Sequence, residues 1–421
     1  MKFPRYSAYK DSGVPWLGEV PAHWGVRSLK RLVALQSGDA ITSDQIEPSG
    51  SFPVFGGNGV RGYTSEPTHT GEHVLIGRQG ALCGNINYAS GSFWASEHAI
   101  VVTPRENTAT LWLGELLRAM NFNQYSQAAA QPGLSVDMLS ALKVPVPPHF
   151  EQESIAAFLS CETAKLDSLV AEQKTLLKLV AEKRAATIAH VVTRGLNPHA
   201  TMKESGVDWL GEVPAHWEVR TSRRLLQEVD ELSTTGEEEL LSVSHLTGVT
   251  KRSEKSVNMF EAEDKTGYKI VRPGQLVINT MWAWMGAMGI AVDDGIVSPA
   301  YNVYKCRDGG IIPEYVGQLV KSDALVKEIT RFSKGVWSSR LRLYPEELFQ
   351  IALPVPPEAE QKAIVAHLRT MTSRHASLAR EAESSITLLR ERRAALISAA
   401  VTGRVDVLEV ASASRDARAA A

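Results

Sequence analysis

Four polar side chains suited to contacting nucleic-acid bases follow a short apolar stretch early in the sequence. Residues 74–76 predict a buried strand, and the polar loop after it carries Arg78, Gln79, Asn85 and Asn87. Arginine can bond the exposed edge of guanine, whereas asparagine and glutamine can bond that of adenine. The loop therefore predicts a surface that could contact base edges.

A matching order of strand, loop, glycine and strand recurs at 274–292 with different loop chemistry. Asn279, Met281, Trp282 and Trp284 stand where the first loop has its arginine and glutamine. Asn279 and Trp282 are therefore the candidate contacts of the second loop.

A basic run lies further along, at 321–342. It holds six lysines and arginines against two acidic residues, a local net charge of +4, interleaved with Phe332 and Trp337. Such a run can hold phosphates, but it can equally be a solvated face. The candidate contacts here are Lys334, Ser338, Arg340 and Arg342.

Motifs for catalysis are missing from the sequence. There is no GxxxxGK[ST] phosphate loop, and neither Pro-Pro pair has the context of an adenine methylase motif. The glycine-rich stretch 56–62 predicts a turn with positive φ angles rather than a phosphate site. His23 and His216 have no cysteine or carboxylate at ligand spacing, so we interpret them as structural. We predict no catalytic residues and no metal site.

The bulk composition excludes several classes of protein. A net charge of −2 over 421 residues argues against a strongly basic nucleic-acid coat, but it leaves local reading surfaces open. The three cysteines, Cys83, Cys161 and Cys306, are too far apart to suggest disulfides or zinc. No signal peptide opens the chain and no apolar run approaches the roughly 20 residues of a membrane span. We expect a cytoplasmic protein.

Large parts of the chain are duplicated. Residues 10–32 and 203–225 are identical at 17 of 23 positions without a gap, a shift of 193. Residues 353–368 repeat 144–159 at a shift of 209 residues. The region between the repeated segments is therefore 16 residues longer in the second half of the chain than in the first. We expect that the repeated segments form a duplicated frame and that the two domains between them have diverged. We also expect the tryptophans of the repeated segments to anchor the frame or a partner interface; they are Trp16, Trp24, Trp209 and Trp217.

Each repeated VPVPP or LPVPP segment precedes a predicted long helix. A seven-residue apolar pattern indicates a helix over 150–194, about 65 Å long, and a second helix that ends near 404. We predict that the two pack as an antiparallel pair, with His375 as a tolerated seam residue. The predicted stripes are Ile155, Leu159, Leu166, Leu169, Leu176 and Val180 in the first helix and Ile364, Leu368, Met371, Leu378, Leu389 and Leu396 in the second.

Together these patterns predict a mixed α/β (α+β) fold: two α/β domains separated by two long helices packed as an antiparallel coiled coil, with a pseudo-two-fold internal repeat. The predicted segments are a collar at 1–25, a mixed domain at 26–148, a long helix at 149–198, a second collar at 199–218, a second mixed domain at 219–357, a long helix at 358–405 and a disordered tail at 406–421.

The motifs SGVPWLGEVPAHW and SGVDWLGEVPAHW, with the later VPVPPxxEQxxIA pattern and the helix end at TRG or TGR, resemble those of specificity (S) subunits of type I restriction–modification systems. The resemblance covers residues 10–405. It implies that each mixed domain is a target-recognition domain that reads one half of a bipartite, asymmetric site in double-stranded DNA, and that the helices act as spacer and docking frame.

The same resemblance implies a chain without its own catalysis or cofactors. Methyltransferase (M) subunits would bind S-adenosylmethionine and methylate adenine in each half-site. Restriction (R) subunits would use ATP and Mg²⁺ for translocation and cleavage.

Alternative functions remain open from the sequence. They are a coiled-coil adaptor with two protein-binding heads, the S-like region of a fused restriction–methylation polypeptide, and an S subunit that pairs with M alone.

Overall fold

The protein folds into two units, each with its own hydrophobic cores. The structure, a computed structural model, describes residues 3–410 and 412 except 81, 106, 127–132, 256–261, 263 and 337–339. Unit 1 comprises Met1–Gln173 and Ser384–Ala421, and unit 2 comprises Lys174–Glu383. Each long helix therefore contributes one part to each unit.

Unit 1 is built on a four-stranded antiparallel sheet in the order β4-β11-β8-β9, beside a mixed sheet in the order β6-β5-β10-β7. Its strands are β1 (Tyr9–Asp11), β2 (Glu19–Pro21), β3 (Gly25–Ser28), β4 (Val33–Ser37), β5 (Phe52–Gly56), β6 (Gly59–Thr64), β7 (His69–Thr70), β8 (His73–Gly77), β9 (Ile86–Ala89), β10 (Ser92–Ala95), β11 (Ala99–Pro104) and β12 (Lys143–Val146). Its helices are α1 (Leu29–Leu32), α2 (Thr110–Ala119), α3 (Val136–Ala141) and the first part of α4 (His149–Arg194).

The strand β8 is apolar on both faces because both faces of its sheet are covered. Val74 and Ile76 belong to the main core with Trp112 of α2, whereas Leu75 packs into a smaller core with Phe93 of β10. Successive side chains of a strand point to opposite faces, so a continuous apolar run fits a strand covered on both sides. The strand predicted at 74–76 is confirmed.

Unit 2 repeats this central sheet, with the order β16-β23-β20-β21. Its strands are β13 (Met202–Glu204), β14 (Glu212–Pro214), β15 (Glu218–Thr221), β16 (Leu226–Val229), β17 (Leu241–Ser244), β18 (Gly248–Lys251), β19 (Lys269–Val271), β20 (Leu276–Asn279), β21 (Met288–Ile290), β22 (Gly295–Val297), β23 (Tyr301–Cys306) and β24 (Ala352–Val355). Its helices are α5 (Ser222–Leu225), α6 (Pro313–Leu319), α7 (Asp323–Phe332), α8 (Pro345–Leu348) and the first part of α9 (Glu358–Val401). The strand β20 occupies the place of β8, as the matched sequence patterns predict.

The two long helices are continuous, and their predicted apolar stripes are only partly buried. In unit 1, Leu159 of α4 shares a core with Leu396 of α9, and Arg393 pairs with Asp167 at 3.1 Å. In unit 2, the helices share a core that includes Val192 and Leu368.

The prediction of a buried seam is wrong for three leucines of the apolar stripes. Leu169, Leu176 and Leu378 are 42%, 39% and 44% exposed. A straight helix turns once in 3.6 residues, so a strict seven-residue pattern drifts by about 20° per repeat and leaves the contact line. His375, predicted as a seam residue, is 7% exposed.

The prediction of a disordered tail at 406–421 is wrong for residues 406–410. Val407 is 1% exposed and belongs to the core of unit 1. The backbone N–H of Asp406 donates to the carbonyl oxygen of Pro4 at 2.9 Å. Residues 406–410 are therefore packed, because their valines cover the core beside the N-terminal segment. Residues 411 and 413–421 lie outside the described residues.

Candidate nucleic-acid interface

In unit 1, the predicted polar loop meets the glycine-rich turn between β5 and β6. The turn Gly57–Asn58 and the start of β6, Gly59–Arg61, form one wall of an open cleft of about 430 Å³. Gln79, Gly80 and Leu82 form the other wall, with His98 beside them. Sequence reasoning interpreted this turn as a simple connection. Its place beside the loop makes Asn58 and Arg61 members of the same surface.

Glycine is required where the turn and the loop approach each other. A Cβ at Gly77 would collide with the carbonyl oxygen of Gly57 and would lie 2.9 Å from that of Leu82. A Cβ at Gly57 would lie 3.4 Å from the carbonyl oxygens of Gln79 and His98, which is an ordinary contact, so the requirement for glycine holds at Gly77. The backbones of Gly57 and Gly77 thus pack directly against each other.

Two asparagine amides connect the turn to the polar loop. Nδ2 of Asn85 donates to Oδ1 of Asn58 at 2.6 Å, and both side chains are accessible. Asn87 lies in β9 rather than in the predicted loop. It is half-buried, and its Nδ2 has no hydrogen-bond partner among the described residues. Of the four residues predicted in this loop, the structure thus brings Asn85 and Asn87 next to the turn and places Gln79 in the cleft wall.

Arg78 is half-buried, and its backbone organises the loop. Its N–H donates to the carbonyl oxygen of His98 at 2.8 Å, and its own carbonyl accepts from the N–H of Leu134 and from the thiol of Cys83. Burial raises the pKa of the Cys83 thiol, which keeps the proton for this bond. Arg78 therefore fixes the cleft wall through its backbone.

In unit 2, Asn279 is not on the accessible surface. It is 5% exposed, and its Nδ2 donates to the hydroxyl of Tyr301 at 3.0 Å. Burial raises the pKa of Tyr301, whereas the bond from Asn279 acts in the opposite direction. Asn279 lies at the end of the covered strand β20, and its burial corrects its assignment as a base contact.

Trp282 is exposed next to the same strand. Its side chain is 48% accessible, and its ring stacks on that of Trp284 with centroids 6.1 Å apart and planes 18° apart. Nε1 of Trp284 donates to the carbonyl oxygen of Met281 at 3.0 Å. The pair presents a flat aromatic surface, which suits stacking against a base.

The basic run divides into paired and unpaired cations. Lys334 forms an ion pair with the buried Glu347, and this bond raises the pKa of the lysine. Arg340 and Arg342 are exposed and form no ion pair with any described residue. The arginines are therefore free to meet phosphates, whereas Lys334 is already engaged. Ser338 lies outside the described residues.

Each collar is fastened to a long helix by a carboxylate. Glu151 of α4 accepts from Nε1 of Trp24 at 2.5 Å and contacts Nε2 of His23 at 2.7 Å. Glu360 of α9 makes the same pair of contacts with Trp217 and His216, at 3.0 and 2.7 Å.

The sequence reasoning missed these two glutamates because they lie more than 120 residues from their partners. The signal was present in the repeat, since each glutamate opens a copied Glu-Gln pair. Trp24 and Trp217 are fully buried, which places them as anchors of the frame as predicted. The end of the opposite helix also meets each collar within its unit, because a Cβ at Gly403 would contact Trp24 and one at Gly195 would contact Trp217.

Across the described ranges, no group of three or more His, Cys, Asp or Glu side chains could hold a metal ion. Among the helices that the structure describes, none has the length and apolar character to cross a membrane.

The fold is similar to that of solved proteins from type I restriction–modification systems. A solved chain of the type I R-M system covers 91% of this chain and 98% of its own length, with a TM-score of 0.65 at 16% identity. The HsdS subunit from Thermoanaerobacter tengcongensis gives a TM-score of 0.52 at 16% identity, with coverage of 91% and 98%. These likenesses establish a common fold.

The sequence matches the same class over part of its length. Residues 21–178 match the family model described as Type I restriction modification DNA specificity domain. The chain is 41% identical over 173 residues to the type I restriction enzyme EcoprrI specificity subunit of Escherichia coli. That match spans 40% of this chain and 42% of the relative. The resemblance inferred from the repeated motifs is confirmed.

Proposed function

We propose that this chain is the DNA sequence-recognition subunit of a type I restriction–modification complex. In this proposal each unit contains one target-recognition domain, and each domain reads one half of a bipartite, asymmetric site. The observation that carries the proposal is the repeated sheet order with different loops. The amide-lined cleft beside β8 and the tryptophan stack beside β20 present different chemistry on the same scaffold.

Exposed leucines on the long helices support the proposal that the chain has two equivalent docking positions for methyltransferase subunits. Leu169 and Leu378 correspond at the shift of 209 and are 42% and 44% exposed. Leu179 and Leu388 correspond in the same way and are 55% and 61% exposed. Exposed leucines at matched positions are expected where two copies of one partner bind a duplicated chain. We propose that the helices form an antiparallel coiled coil that serves as spacer and docking frame.

In this proposal the chemistry belongs to the partners. Methyltransferase subunits bind S-adenosylmethionine, and restriction subunits bind ATP and Mg²⁺. The recognition chain supplies the sequence selectivity. Its near-neutral net charge of −2 agrees with a division in which other subunits hold much of the DNA backbone.

Sequencing of N6-methyladenine in cells that express this chain with its methyltransferase subunit tests the proposal. The expected result is a split motif that is absent without this chain. Replacing residues 219–352 with the second domain of another S subunit should change one half of the motif and leave the other. A change in both halves would contradict the assignment of one domain to each half-site.

A further inference from the structure

We propose that Asn58 and Asn85 act as a single element that reads an adenine in the half-site of the first recognition domain. The inference rests on the proposed function and adds the base and the residues that select it. The juxtaposition that carries it is the hydrogen bond, 2.6 Å long, between the amide of Asn85 and that of Asn58, which lines the cleft.

The bonded pair has a defined set of remaining groups. Each amide has one carbonyl oxygen and two N–H donors. The bond uses a donor of Asn85 and an acceptor lone pair of Asn58, which leaves the oxygen of Asn85 and the NH₂ of Asn58 outside this bond. Exchanging oxygen and nitrogen in both amides leaves the same result, one free oxygen and one free NH₂.

This combination matches adenine in the major groove. Adenine presents N7 as acceptor next to its N6 donor, and a carboxamide pairs with both. Guanine presents two acceptors, O6 and N7, and would leave the free amide oxygen facing another acceptor. The bonded amides therefore favour adenine and disfavour guanine at the position they meet.

The surroundings leave this element open and fixed. Gly57, Gly59 and Gly80 line the cleft without side chains that could cover the amides. The turn is already held by the β5–β6 ladder and by the contact between Gly57 and the loop. The amide bond is thus not needed to hold the turn, and it orients both side chains before DNA arrives, which lowers the ordering cost of binding.

The test uses the full chain, assembled with its methyltransferase subunit, on DNA that carries all four bases at each position of the half-sites. The variants are Asn58→Ala, Asn85→Ala and the double variant. Each single variant should lose discrimination at one and the same A·T position, by about 5- to 150-fold, the range for one bidentate contact. The double variant should lose no more than the larger single loss, because the two amides form one element.

Asn107→Ala is the matched control, because Asn107 also forms an exposed side-chain bond in unit 1, with His149 at 3.0 Å. It should leave the motif unchanged. The melting temperatures of the cleft variants should match that of the control, which separates reading from folding.

Four results would overturn the inference alone while the split motif persists. They are no relaxation, relaxation at a G·C position, relaxation at two different positions, and relaxation in the other half-site. The absence of any split motif with the unaltered chain would instead overturn the proposed function, and the inference with it.

Discussion

Replacing Glu151 by alanine tests whether the buried carboxylate fastens the first collar to its helix. The Glu151 side chain is 3% exposed and bonds both Trp24 and His23. Removing it leaves the Trp24 indole N–H buried without a partner, which costs about 1–3 kcal/mol. The His23 ring is 47% exposed, so its pairing adds at most about 0.5 kcal/mol after solvent screening. The expected loss in the free energy of unfolding, the sum of these two contributions, is about 1–3.5 kcal/mol.

The second collar supplies an internal comparison. Glu360 has a side chain that is 24% exposed and a longer bond to Trp217, 3.0 Å, so water can replace part of its contribution. We expect Glu360→Ala to cost about 1–2 kcal/mol. Glu151→Gln should recover about half of the alanine loss, because an amide oxygen can still accept from Trp24.

Equilibrium urea unfolding, followed by circular dichroism, measures these differences. Glu153→Ala is the control, because Glu153 is 66% exposed and pairs with His149 at the helix surface. It should change the free energy of unfolding by less than about 0.5 kcal/mol. A cost for Glu151→Ala that is equal to that of Glu153→Ala, or smaller than that of Glu360→Ala, would refute the reasoning.

Three further predictions concern reading and assembly. Gly77→Ala should push the hairpin turn off the loop, destabilise unit 1 by about 1–3 kcal/mol and blur one half of the methylation motif, as read by sequencing. Leu179→Ser or Leu388→Ser should weaken methyltransferase binding in a titration, because each removes exposed apolar surface. Arg342→Ala should reduce the slope of log K for DNA binding against log salt concentration by about 0.9 for each phosphate that the arginine neutralises. Lys334→Ala should instead lower the melting temperature, because it leaves Glu347 unpaired.

Matched substitutions decide between these effects and general damage. Gly91→Ala, at a glycine with open space around its Cβ position and φ of +78°, controls for backbone strain in the same unit. Leu246→Ser, at an 82% exposed leucine on another surface of unit 2, should leave methyltransferase binding intact. Equal losses for Leu246→Ser and Leu179→Ser would contradict a docking role for the helix leucines.

Local periodicity and the internal repeat, both visible in the sequence, determined much of the fold. The continuous helix α4, the extended VPVPP segment and the matched strands β8 and β20 follow from patterns within a few residues of each other. The duplication established which segments correspond, and hence which loops to compare. The domain boundaries proposed from the sequence stay predictions.

The candidate site depended on pairings that sequence distance hides. Arg78, Gln79, Asn85 and Asn87 were predicted from the sequence of one loop, but the hydrogen-bond partner of Asn85 is Asn58, which lies 27 residues earlier on another hairpin. Burial of Asn279 follows from cover on both faces of β20, which its residue type does not reveal.

The collars show most clearly what the sequence determined and what only the tertiary structure decided. The amino-acid sequence determined that WLGEVPAHW occurs twice and that its tryptophans belong to the frame. Only the tertiary structure decided that Glu151 and Glu360 complete each collar, because folding brings each carboxylate within hydrogen-bond distance of an indole N–H that lies more than 120 residues away in the sequence. A repeat can be detected by comparing segments of the sequence, whereas a hydrogen-bond partner is determined by which atoms lie close together in the folded chain.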